Sequence, residues 1–99
     1  MKSQDPNQEH LQSIISLFTQ GQLQQALSKA TQMLEKFPNS VVLYNIAGAS
    51  NAGLMQFDAA INSYKQALKI KPDYALAYYN MGNILKEKGD LDAAISSYK

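Results

Sequence analysis

Asp58-Ala59-Ala60-Ile61-Asn62-Ser63-Tyr64-Lys65 returns 34 positions later as Asp92-Ala93-Ala94-Ile95-Ser96-Ser97-Tyr98-Lys99, with seven of eight residues unchanged. The same offset pairs Tyr44 with Tyr78, Gly48 with Gly82 and Pro38 with Pro72, and it links Ala26, Ala60 and Ala94 in series. Self-similarity at one fixed spacing of this size marks an array of small structural units. The register divides the chain into a leading segment at 1–6, expected to be flexible, and three units. These are a degenerate first unit at 7–40, a second at 41–74 and a third at 75–99 that stops inside its second helix.

Each unit reads as two helices. Leu23, Ala26, Leu27, Ala30, Met33, Leu34 and Phe37 keep the three-and-four spacing of one helical face, as do Phe57, Ala60, Ile61, Tyr64, Ala67 and Leu68. Gly21 and Gly89 precede the second helix of their units and suit a turn with positive φ. Asp58, Asp90 and Asp92 stand at helix starts, where the dipole favours a negative charge. Pro38 and Pro72 close the units by blocking helical continuation. No segment alternates with the two-residue period of a half-buried strand. The expected fold is all-α, a superhelix of antiparallel helix pairs.

A lone helix pair of this length cannot bury its apolar faces, so the units must stack. Ala26, Ala60 and Ala94, with Gly48 and Gly82, are small where helices should touch. Tyr44, Tyr64, Tyr78 and Tyr98 are large and are expected to fill the space between neighbours. The ordinary reading of all these residues is core, not site.

Composition narrows the function classes. The chain has 99 residues and a net charge of +1, and all nine of its cations are Lys. A nucleic-acid surface needs a basic stripe and usually Arg forks, so none is expected. With no Cys there is no disulfide, thiolate zinc site or Cys nucleophile. A single His, His10, rules out a His-rich metal cluster within one chain. No apolar run approaches a membrane span, and Leu11 to Phe18 is too polar and short for a secretory core, so the cytoplasm is the default compartment. No carboxylate pair, hydrolase triad or phosphate-binding Gly loop is arranged, so no catalysis and no cofactor are expected.

Tyr44, Ala47, Gly48, Ala60, Tyr64, Ala67 and Pro72 together resemble the signature of the tetratricopeptide repeat, and Tyr78, Met81, Gly82, Leu85, Ala94 and Tyr98 resemble it again. Asn51 departs from it, and the first unit retains only Leu17, Ala26 and Pro38. The resemblance spans residues 7–99. It is specific for a solenoid fold and weak for function.

It implies a non-catalytic scaffold whose first helices line a concave groove for a peptide or helix of a partner protein. The groove-facing positions would be Leu11, Ile15 and Phe18, then Val42, Asn45, Ala49 and Ala52, then Leu76, Tyr79, Asn83 and Lys86. Asn amides can bond a peptide backbone without reading its sequence, and Tyr79 adds a rigid amphipathic contact. The ordinary alternative for Asn45 and Asn83 is a solvated surface amide. The variant that clamps a C-terminal carboxylate is not expected, because Leu11, Ile15, Ile46 and Leu76 stand where its Lys and Asn belong. Asn80 occupies a slot used by the Asn ladder found beside glycosyltransferase domains, but Gln12 and Ile46 hold the preceding slots.

The stripe Leu11, Ile14, Ile15 and Phe18 does not coincide with the family slots His10, Ser13, Ile14 and Leu17. Either the first helix is rotated to bury the stripe, which is the favoured reading, or the groove has an apolar floor. Leu91, Ile95 and Tyr98 form an edge with no following element, which fits either an array with further repeats or self-association into a homo-oligomer. A recognition appendage of a glycosyl- or sulfo-transferase is the third functional reading.

Overall fold

The computed structural model describes residues 4–89, which form five helices: α1 Gln8–Thr19, α2 Leu23–Lys36, α3 Val41–Gly53, α4 Phe57–Ile70 and α5 Ala75–Glu87. Among the described residues there is no strand. The third unit is seen through α5 and the turn at Gly89; its second helix, with Asp92, Ala94 and the edge residues Leu91, Ile95 and Tyr98, lies outside the described residues.

Local chemistry sets the helix ends. The Asn7 side chain accepts from the His10 N–H at 2.9 Å and starts α1. Ser40 Oγ accepts from the Leu43 N–H at 3.2 Å and starts α3. Such caps contribute about 1 kcal/mol each. The Ser40 hydroxyl in turn donates to Asp5 at 2.6 Å, and Pro6 is buried. Asp5 is therefore tied to the start of α3. Asp58 sits in the first turn of α4, and Lys36 and Lys69 in the last turns of α2 and α4. Those placements suit the helix dipole.

The two hairpin turns within units share one hydrogen-bond pattern. The Gly21 N–H donates to Phe18 O and the Gln22 N–H to Leu17 O; 34 residues on, Met55 donates to Ala52 O and Gln56 to Asn51 O. Gly21 and Gly89 have φ of 80° and 67°, as expected. The intervening equivalent is Met55, at φ 62°. A side chain thus sits in the left-handed region that the turn demands and Gly normally fills.

Two clusters form the core. Ile14, Ala26, Ala30, Leu43, Ile46 and Ala47 join α1, α2 and α3. Ala60, Tyr64, Ala77 and Ile84 join α4 and α5. Ala26 and Ala60 are fully buried, as the repeat register requires. The stripe Leu11, Ile14, Ile15 and Phe18 of α1 faces the core, as the favoured reading expected. Ile14 is buried in its family slot, His10 and Ser13 are exposed, and Leu11, Ile15 and Phe18 pack half-buried on the same cluster.

The contacts expected of Tyr78 fall outside the described residues. Its side chain is 59% exposed, and a methyl group on Gly82 would meet nothing within 4 Å. In the repeat register the residues facing Tyr78 and Gly82 come from 90–99, outside the described residues.

Candidate functional site on the concave face

Sequential helices pack side by side, and in addition α1 touches α3 and α3 touches α5. Among the described residues α2 and α4 do not touch each other. First helices of successive units are therefore closer together than second helices. The stack curves with α1, α3 and α5 on its inner wall, and Ala49 and Ala52 on α3 are small enough to let α5 approach.

Between α3 and α5 lies an open cavity of about 290 Å³, lined by Ala49, Ala52, Gly53, Tyr64, Asn80, Asn83, Ile84 and Glu87. Asn80 is its node. Its Nδ2 donates to Asn45 Oδ1 at 3.3 Å, joining α5 to α3. Its side chain also acts on the Tyr64 hydroxyl of α4. Burial pushes that hydroxyl up to about 12, with Asn80 pulling the other way and Tyr74 adding a smaller upward push. Tyr74, at the α4–α5 junction, is also raised by burial. Tyr64 is therefore a neutral polar group on the cavity wall across the ordinary pH range.

The candidate groove residues divide into three groups. Asn45 is linked to Asn80, and Ala49, Asn80 and Asn83 line the α3–α5 cavity. Leu11, Ile15 and Val42 pack against the α1–α3 core and give that half of the inner wall an apolar character. Leu76, Tyr79 and Lys86 are exposed on α5, with Leu76 at 45% and Tyr79 at 68%. None of these three lines the cavity. Asn80 does not continue a ladder down equivalent slots. Its partner is Asn45, one register position away from the ladder slot held by Ile46.

Glu87, flanked by Lys86 and Lys88, lines the cavity and is not among the candidates read from the sequence. The available signal was its position four residues after Asn83, which puts both on one helical face. Among the described residues no group of His, Asp and Glu could hold a metal ion, and no helix is long and apolar enough to cross a membrane.

Comparison with known proteins agrees with this geometry. Residues 56–89 match the family model described as TPR repeat. Over 82 residues, 83% of the chain, it is 35% identical to a probable UDP-N-acetylglucosamine–peptide N-acetylglucosaminyltransferase of Arabidopsis thaliana. Over 74 residues, 75% of the chain, it is 34% identical to small glutamine-rich tetratricopeptide repeat-containing protein 2 of Mycosarcoma maydis. Over 93 residues, 92% of the chain, it is 32% identical to heat shock protein STI1 of Saccharomyces cerevisiae. The chain spans 8%, 21% and 16% of the lengths of these relatives. With its repeat period and its nested helix hairpins, the chain is a tetratricopeptide-repeat protein. It thus belongs to a class of protein–protein interaction scaffolds.

Proposed function

We propose that the chain is a non-catalytic scaffold that holds an extended peptide or a helix of a partner protein against the inner wall formed by α1, α3 and α5. The observation that carries this reading is the convergence of Asn45, Asn80 and Asn83 on one concave surface, beside the small Ala49. Asn80 is held by Asn45, so its orientation is set before a ligand arrives. Preset amides lose less conformational freedom on binding than free ones. An amide presents both a donor and an acceptor, as a peptide backbone does. Exposed Tyr79 and Leu76 extend the wall with apolar surface.

The test is loss of peptide capture in the combined variant Asn45→Ala, Tyr79→Ala, Asn83→Ala. Peptides retained by the chain from a random display library serve as the probe. The reading expects an affinity loss of about tenfold or more, with helicity by circular dichroism unchanged. Undiminished capture would overturn it.

A second reading is favoured by the Arabidopsis relative, whose name is that of an N-acetylglucosaminyltransferase. In that reading the repeats form a recognition appendage of a transferase, with the same inner wall presenting a polypeptide substrate. Sequencing the gene downstream of Lys99 discriminates the two readings, because only the second requires a transferase domain in the same polypeptide.

A further inference from the structure

Among the described residues the α3–α5 cavity carries one charged side chain, which backbone recognition does not use. Glu87, in the last turn of α5, shares the lining with Asn80 and Asn83, against a floor formed by Ala49 and Ala52. Its neighbours in sequence are lysines, yet neither lines the cavity. Lys88 Nζ is drawn to Asp58 at 3.2 Å. Lys86 is exposed, and adjacent helical residues project to different sides. Among the described residues the lining therefore holds a carboxylate, two amide side chains and small apolar side chains, and no cation.

That combination selects a ligand by charge. An acidic side chain would meet Glu87 with no lining cation among the described residues to offset the repulsion. A cation on an aliphatic stem satisfies both parts: its methylenes lie on Ala49 and Ala52, and its N–H groups donate to Glu87 and the amide oxygens. We infer that this cavity takes a cationic side chain, Lys or Arg, of the bound segment, with Glu87 as its counter-ion. The inference rests on the groove reading above and adds the charge preference of the segment.

The experiment is selection of a random-peptide display library on the full chain and on Glu87→Gln and Glu87→Lys. Titration of the selected peptides then follows, with backbone and side-chain amide resonances as the readout. Glu87 is exposed at a helix end, so both variants retain the fold. The expected result is enrichment of Lys or Arg at one peptide position. Glu87→Gln should weaken these peptides roughly fivefold, and Glu87→Lys should shift the selection toward Asp and Glu. Synthetic arms carrying Lys, Arg or uncharged citrulline at the enriched position tell ammonium from guanidinium recognition, and the citrulline arm should bind as weakly as Glu87→Gln binds the Arg arm. Peptides that perturb Asn80 and Asn83 without any basic preference, or with one that Glu87→Gln leaves intact, would overturn the inference and leave the groove reading standing. Selected peptides that perturb neither Asn80 nor Asn83 would overturn both.

Discussion

A methyl group on Gly48 would lie 2.7 Å from Tyr64 Cζ, so the α3 backbone rests directly against the Tyr64 ring. The equivalent pair one unit earlier is Ile14 and Ala30, both buried, with the sizes exchanged between the two helices. Total volume is retained while its owner changes, which cores tolerate well. This exchange explains how the two helices of the degenerate first unit still pack together.

Gly48→Ala should therefore destabilise the protein. Alanine gains about 1 kcal/mol of helix propensity over glycine. Overpacking against a rigid, 2%-exposed ring costs about 1–3 kcal/mol and outweighs that gain. Urea unfolding followed by circular dichroism should give a lower midpoint for Gly48→Ala. The loss should shrink in a Tyr64→Leu background, as expected for contacting residues.

Met55→Gly should have the opposite effect. Met55 is 72% exposed and holds φ at 62°, so its side chain contributes little packing while its backbone is strained. Relief of the left-handed conformation should raise stability by about 1 kcal/mol. A thermal unfolding midpoint at or below that of the parent would contradict this account of the turn.

Ser50 Oγ is buried without a hydrogen-bond partner among the described residues. Ser50→Ala removes that orphan hydroxyl and adds helix propensity, so stability should rise by about 0.5–1 kcal/mol. A loss of more than about 1 kcal/mol in denaturant unfolding would mean that the hydroxyl is paired.

Alkaline stability should depend on Tyr64. Its hydroxyl is raised from 10.0 to about 12 by burial, so the folded state favours the neutral form. The contribution is present in full below pH 10.0 and is lost as pH rises toward about 12, because the unfolded chain releases its proton first. Phenolate absorbance should show a titration near 12 that is lost in Tyr64→Phe. Tyr64→Phe should flatten the loss of helicity over that interval, and an unchanged alkaline transition in Tyr64→Phe would contradict the assignment.

Most of the fold is legible in the sequence because packing repeats. The period of 34 places Ala26, Ala60, Gly48 and Tyr64 correctly, and all four are buried. Other features escape it. Met55 is hidden because periodicity records side-chain type, whereas its strain is a backbone property fixed by the hydrogen bonds of the turn. The candidate site is only partly legible. Asn45, Asn80 and Asn83 stand out as amides on a helix face, but the Asn45–Asn80 bond joins two units and depends on how α3 and α5 are offset. Glu87 is masked by the lysines on either side of it.

The central claim is that the inner wall formed by α1, α3 and α5 is where another polypeptide rests. Its most direct measurement is the set of Asn and Gln side-chain amide resonances during titration with a selected peptide. The account predicts that Asn45, Asn80 and Asn83 move together on one binding curve, while Gln24, Gln25 and Gln32 of α2 stay in place. Movement confined to the α2 glutamines, with the three asparagines unmoved, would contradict it.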